Sequence, residues 1–544
     1  MRPRPLTTAA ALVALLLAGP AAVGTAAPAP AADPAAGDHR GYPGAPPGLR
    51  NLDAATIPEL QKRMGSGRLT SVELTRAYLA RIRAVDDRLG AVLETNPKAI
   101  RDAAASDRER RQHGARSPLE GIPVLLKDNI DTLDQGATAG SRALLRSRPD
   151  DATIVRRLQD AGAVVIGKAN LSEWANFRST NSSSGWSAVG GQTNNAYALD
   201  RNPCGSSSGS AAGVAASLAQ VSVGTETDGS IVCPAAANGI VGVKPSVGLV
   251  SRDGIVPISV EQDTAGPMAR HVVDAALTLS VLQGGPSGRQ WLDPADPATE
   301  TVPRDQTTDY AKALDARDLK GARIGVWRLE TDSPETDAIT EQAVQALKKA
   351  GATPVDVELP YQDVVNDNEF PALLSEFKRD LEAYLAATPG EHPDTLRELI
   401  AFNKADPVEL RFFGQELFWQ ALQAPDADSA DARGFREKAT TAARASIDET
   451  LADYELDAIV APTNSPAWLT TLGEGDAFLF GSSSPAAVAG YPNTTVPAGY
   501  SDGLPVGLSF FGARFADAEI LSLAYAFEQA NDVRRVPRLL DTVG

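Results

Sequence analysis

Residues 202–234 read NPCGSSSGSAAGVAASLAQVSVGTETDGSIVCP, with Gly and Ser concentrated at the two ends. Between them, the small residues Ser210 to Ala219 read as a helix that leads into a strand at Val221-Ser222-Val223. Each Ser/Gly-rich end has two readings. One is a flexible turn; the other is a tightly bent backbone on which hydroxyls and N–H groups converge, a freedom Gly supplies. Gly205-Ser206-Ser207-Ser208-Gly209 matches G-x-S-x-G, the nucleophile elbow of α/β-hydrolases. That elbow needs a strand just before it, but Asn195 to Pro203 is polar and turn-like. It also needs a late histidine, and only His271 and His392 follow. The elbow reading fails. A serine nucleophile without a histidine base needs another base, and a lysine serves if burial keeps it neutral.

Outward from this stretch, strands alternate with helices. Upstream, Ile122 to Leu126 is a short apolar run after Gly121 and reads as a buried strand delivering Lys127. Thr70-Ser71-Val72-Glu73 is a capping box, and Leu74, Ala77, Tyr78, Ile82 and Val85 follow at helical spacing. Ile154, Val155, Leu158 and Ala161 mark a helix stopped by Gly162, with a strand at Val164-Val165-Ile166. Downstream, Arg323 to Trp327 and Ala458 to Val460 read as strands. This order predicts an α/β protein with a mixed, mostly buried sheet. Residues 290–320 are polar and Pro-rich and read as a surface excursion within one large domain. The charge run Arg108 to Arg111 reads as a solvated face, while Trp174 and Trp186 either wall a pocket or pack the core. Ser375-Glu376-Phe377-Lys378 matches S-x-x-K, but it lies in a helical pattern and has no S-D-N or K-T-G beside it.

Composition narrows the class. The chain has 544 residues and a net charge of 51 − 69 = −18. An acidic balance argues against nucleic-acid partners, whose phosphates require a basic surface. Two cysteines make neither a disulfide scaffold nor a four-thiolate zinc site, and no H-x-x-x-H pair exists for a metal hydrolase. At the N-terminus, Arg2 and Arg4 precede an apolar run from Ala9 to Ala18 and then small residues through Ala32. That is the order of a secretory signal peptide, 1–32, with cleavage expected between Gly24 and Ala32. The run is about half the ~20 residues that span a bilayer, so no permanent anchor is expected. Residues 33–49 read as a Pro/Gly/Ala-rich linker ahead of a domain at 50–544.

Several motifs together resemble the amidase signature family. They are Gly121-Ile122-Pro123-Val124-Leu125-Leu126-Lys127-Asp128-Asn129, Gly205 to Ala212, and Gly224-Thr225-Glu226-Thr227-Asp228-Gly229-Ser230. Gly167-Lys168-Ala169-Asn170, Gly242 to Ser246, Asp263 to Pro267, Asp457 to Thr463 and Gly490-Tyr491-Pro492 match as well, so the resemblance spans about residues 52–535. It implies a single large α/β domain, a twisted mixed sheet surrounded by helices, and no cofactor. It also implies a Ser-Ser-Lys triad. Ser230 matches the nucleophile, Ser206 the bridging serine after a cis peptide bond, and Lys127 the base; Thr227, Asp228 and Gly229 match the oxyanion and substrate loop.

Departures from the family pattern point to substrate. Asp228, Cys204 and Ser208 stand where Gly is usual. Asp228 keeps its backbone N–H, but its side chain favours a cationic group or rejects a carboxylate. The wording around Ser206 and Ser230 is closest to the peptide amidase branch, which removes amides from peptide C-termini. An export signal fits that branch better than the cytoplasmic tRNA-dependent amidotransferase A subunit. The expected substrate is thus a small-molecule or peptide amide. An esterase or aryl-acylamidase with the same triad is the alternative enzyme, and a non-catalytic binding protein on the same fold the alternative class. Cys204 and Cys233 flank the two serines and are either disulfide-bonded, which needs Cα atoms ~4.4–6.8 Å apart, or two buried thiols. Oligomeric state is not assigned.

Overall fold

Thr56 and Thr70 each open a helix through a reciprocal pair of bonds. The threonine hydroxyl accepts the amide three residues on, and the Glu there reaches back to the threonine amide. The resulting helices are Ile57–Gly65 and Ser71–Leu89. In the second, Leu74, Tyr78 and Ile82 are buried, while Ala77 and Val85 are half-buried against the same core. Gly90 ends it at φ +65°, where a Cβ would lie 2.6 Å from the Gln192 carbonyl oxygen. A side chain there has neither the conformation nor the space.

The computed structural model describes residues 52–284, 292–307 and 309–543. The expected export segment and linker, 1–49, lie outside them. Thirteen strands occur among the described residues: β1 (Val92–Thr95), β2 (Pro123–Lys127), β3 (Val164–Ala169), β4 (Trp186–Ser187), β5 (Gly191–Gln192), β6 (Val221–Glu226), β7 (Val241–Lys244), β8 (Thr264–Ala269), β9 (Arg323–Trp327), β10 (Thr353–Val357), β11 (Ala458–Pro462), β12 (Asn493–Ser501) and β13 (Leu504–Phe511). Eleven form one sheet in the order β1-β3-β2-β6-β8-β7-β12-β13-β11-β9-β10, and β4 pairs only with β5. The trio β3-β2-β6 is parallel, as is β11-β9-β10, and the strands between them are antiparallel. The expected mixed sheet is present. Strands β2, β3, β6, β7, β8, β11 and β13 are buried along their whole length, as expected for a sheet covered on both faces.

The main core cluster runs along this sheet and takes in the helices Ser71–Leu89, Val272–Gln283 and Asp517–Ala530. A second cluster gathers Trp174, Phe177, Phe377 and Phe418. Trp186 packs edge-on against Phe412 and Phe413. Both tryptophans therefore serve packing. The helix expected over 210–219 runs instead from Ser208 to Ala215. It stops early because Ser217 turns to φ +58°, which aims the chain into β6. The polar segment 290–320 is less superficial than its composition suggests: Thr299, Tyr310 and Leu319 are fully buried among the described residues. All of the described residues belong to one compact unit.

Candidate active site

Parallel neighbours β2 and β6 end side by side, and their last residues carry the polar groups expected at the carboxyl edge of such a pair. Lys127 closes β2. Its ammonium position is fully buried, 2.7 Å from Ser206 Oγ, 2.8 Å from Thr225 Oγ1 and 3.2 Å from the Thr225 carbonyl. Asn129 Nδ2 donates to the same Thr225 hydroxyl at 3.0 Å. Burial pushes Lys127 down to about 7, against the opposing pull of Asp263 and Glu226. A lysine in that state is substantially deprotonated at neutral pH.

Ser206 is reached through a cis peptide bond from Gly205. The bend is tightly enclosed: a Cβ on Gly205 would lie 2.2 Å from Ser172 Oγ. The Ser206 carbonyl accepts the Ser172 amide at 3.1 Å, and Ser207 Oγ donates to the Thr225 carbonyl at 3.1 Å. The two Ser/Gly-rich ends are joined directly, because the Ser207 amide donates to the Ser230 carbonyl at 3.1 Å. Of their two readings, the convergent backbone is therefore the one realised.

Ser230 sits in the turn Thr227-Asp228-Gly229-Ser230 between β6 and the helix Val232–Ala237. Gly229 adopts φ +77°, left-handed backbone that disfavours any side chain. Glu226 Oε2 accepts the amides of Ile231 and Val232 at 2.8 and 3.0 Å, which anchors the chain just past Ser230. Gln262 Nε2 donates to the Thr227 carbonyl, and the Cys233 amide to the Gly229 carbonyl. In a planar trans peptide the N–H opposes the preceding C=O. The amides of Asp228 and Ser230 thus point away from those donors. Asp263 accepts the Thr227 hydroxyl and the amides of Ile258 and Ser259; burial raises it to about 6.

A cavity of about 220 Å³ opens beside this turn, bounded by Gly205, Asp228, Gly229, Asn464, Phe478 and Ser483. Cys204 and Cys233 form a disulfide in its wall, with Cα atoms 6.0 Å apart. The free-thiol alternative is thereby ruled out. His271 faces Glu528, and His392 contacts the Thr388 carbonyl; neither lines the cavity. Among the described residues no group of three or more His, Cys, Asp or Glu is arranged to hold a metal ion.

The amidase family model matches residues 73–521. The chain belongs to the amidase signature family. A probable amidase of Arabidopsis thaliana is 40% identical over 90% of this chain and 92% of its own. The A subunit of a glutamyl-tRNA(Gln) amidotransferase from Chloroflexus aggregans is 36% identical over 89% and 98%. The crystal structure of native peptide amidase from Stenotrophomonas maltophilia superposes with a TM-score of 0.84 at 50% identity, covering 89% of this chain and 99% of that one. The protein is an amide-hydrolysing enzyme of this family, on the family's large mixed α/β fold.

Sequence reasoning named Lys127, Ser206, Thr227, Asp228, Gly229 and Ser230, and the structure brings all six into one neighbourhood. It left unassigned Thr225, Glu226 and Asp263, which lie inside the quoted motifs as polar residues at strand ends. Gln262, Glu369 and Ser484 carry no sequence signal, since they arrive from other elements.

Proposed function

We propose that this amidase is an exported Ser-Ser-Lys amidohydrolase that removes the amide from peptide C-termini. The reading rests chiefly on one observation: a buried lysine held near neutrality, 2.7 Å from the Ser206 hydroxyl. Neutral Lys127 takes the Ser206 proton while Ser206 takes the Ser230 proton, and Ser230 Oγ attacks the amide carbon. The N–H groups of Thr227–Ser230 receive the developing oxyanion; one such donor is worth about 2.7–4 kcal/mol. The relay then runs backward and protonates nitrogen, so that ammonia leaves and an acyl-Ser230 ester remains. Water, deprotonated by the same relay, frees the acid.

Support for a peptide comes from the 50% identity to a peptide amidase and from the cavity rim. Phe478 lines the cavity half-exposed and packs edge-on against Trp468, and Leu469 and Leu479, their chain neighbours, are exposed as well, apolar surface suited to the side chains of a peptide. Support for export comes from residues 1–32 alone. The test is ammonia release from a blocked dipeptide amide, beside its methyl ester, by wild type, Ser230→Ala and Lys127→Ala. Release by the wild type, lost in both variants, is the expected result; undiminished release by Ser230→Ala overturns the assignment of the nucleophile. Secreted protein whose N-terminus falls among residues 25–33 is the outcome expected for export.

A further inference from the structure

Asp228 stands two residues before Ser230, where a carboxylate is a costly choice for an enzyme whose product is itself a carboxylate. It lies in the wall of the cavity beside the turn. Ser484 Oγ donates to its Oδ2 at 2.6 Å. Oδ1 is shielded from solvent and has no partner of hydrogen-bonding geometry, although the Ser483 hydroxyl is close. Glu369, from the helix Gln362–Ala387, lies near enough to feel the Asp228 charge and is tied to the same turn through Gln262, which bonds both the Thr227 carbonyl and Glu369 Oε1. The interior cation, Lys244 of β7, faces Glu226 and Asp517 as well as Asp228 and so does not neutralise it. Arg436 reaches Gln262 but is engaged by Glu376 through two bonds.

We propose that Asp228 is the specificity-determining anion of this cavity: its charge admits a neutral primary carboxamide and excludes carboxylates, both the product acid and the free C-terminus of an ordinary peptide. The inference rests on the peptide-amide reading above and deepens it. Two neighbouring carboxyls avoid double ionisation by keeping one proton. Burial and the Asp228 charge raise Glu369 to about 8, so Glu369 takes the shared proton; burial raises Asp228 as well, opposed by the Ser483 and Ser484 hydroxyls and by Lys244, which favour its charged form. A second anion in the cavity then meets a like charge at close range, which weakens its binding. A carboxamide is the same size and uncharged, and meets no such repulsion. The same device stops the enzyme from proceeding as a carboxypeptidase, because the residue that would leave from the last peptide bond of the product carries a carboxylate.

Calorimetric binding at pH 7 of a blocked dipeptide amide and of its matching acid tests this in the Ser230→Ala background, where the amide persists. The amide is expected to bind at least about tenfold more tightly than the acid. Adding Asp228→Asn, which keeps the Ser484 bond and removes the charge, brings the two within about threefold. Adding Glu369→Gln instead leaves the preference intact, since Glu369 is already protonated; thermal melts confirm that each variant is folded. A preference that persists in Asp228→Asn, or that Glu369→Gln abolishes equally, overturns the inference alone. A wild-type enzyme that releases no ammonia from the amide overturns the peptide-amide reading and this inference with it.

Discussion

A neutral amine has two N–H bonds and one lone pair, and Lys127 has three partners to match. The Thr225 carbonyl and hydroxyl accept the two N–H bonds, which leaves the lone pair for Ser206. A protonated Lys127 has no lone pair to receive the Ser206 proton. Since the base works deprotonated, activity on the amide is expected to fall as pH drops through about 7 and to hold above it, as a pH–rate profile of kcat/KM reads directly. Lys127→Met should cost about 10²–10⁴ in rate. It should not lower the melting temperature, because it trades a buried, desolvated amine for an apolar chain of similar length. A variant that is both inactive and strongly destabilised contradicts that assignment. The residue types at this site were legible in the sequence. The lowered basicity was not, because it depends on the exclusion of water by residues far along the chain.

Two turns carry the serines, and they are joined to each other more than to anything local. The Ser207–Ser230 backbone bond and the Cys204–Cys233 disulfide cross-link them, while Glu226 and Gln262 hold the second turn from either side. The disulfide spans a sequence separation of 29, and a loop of that length is worth about 3–4 kcal/mol by chain entropy. Paired Cys204→Ser and Cys233→Ser substitutions are therefore expected to lower the melting temperature by several degrees. Because a misplacement of about 1 Å at a reacting group can cost 10²-fold, a parallel drop in kcat is expected, measured beside wild type with and without reductant. Local signals located most elements well: the Thr70 box starts its helix where expected, and β9 runs over Arg323–Trp327 as read. The small-residue helix begins two residues earlier and ends four earlier than its composition predicts, because Ala-rich sequence offers no stop signal and the chain turns at Ser217.

At the scale of the molecule, the sheet is pinned by charges that composition assigns to the surface. Arg270, at the far end of β8 from Asp263, is almost wholly buried. It donates to the carbonyls of Val214, Ala219 and Leu52 and to Gln220 Oε1. It thus ties the segment entering the domain to the helix and strand that present the two serines. Arg270→Met strands these carbonyls in a dry core, at about 1–3 kcal/mol for each unmet group. The expected outcome is a clearly lower denaturant midpoint with the amide KM unchanged in the folded fraction, since Arg270 does not line the cavity. A midpoint equal to wild type would show that these bonds are replaced by water.

What the sequence by itself determined is whatever depends on neighbours within a turn or two, or on motifs long enough to act as a signature. That covers the caps, the strand ending at Lys127, the two Ser/Gly turns and the family they belong to. Only the tertiary structure decided which polar groups lose their water and which meet. Glu369 and Ser484 reach Asp228 from 141 and 256 residues away in the chain, and Cys204 finds Cys233 only because the helix Ser208–Ala215 leads away from the first turn and β6 returns the chain beside it. Desolvation and through-space charge set the chemistry of this site. Both are properties of the packed interior, and no local run of residues encodes them.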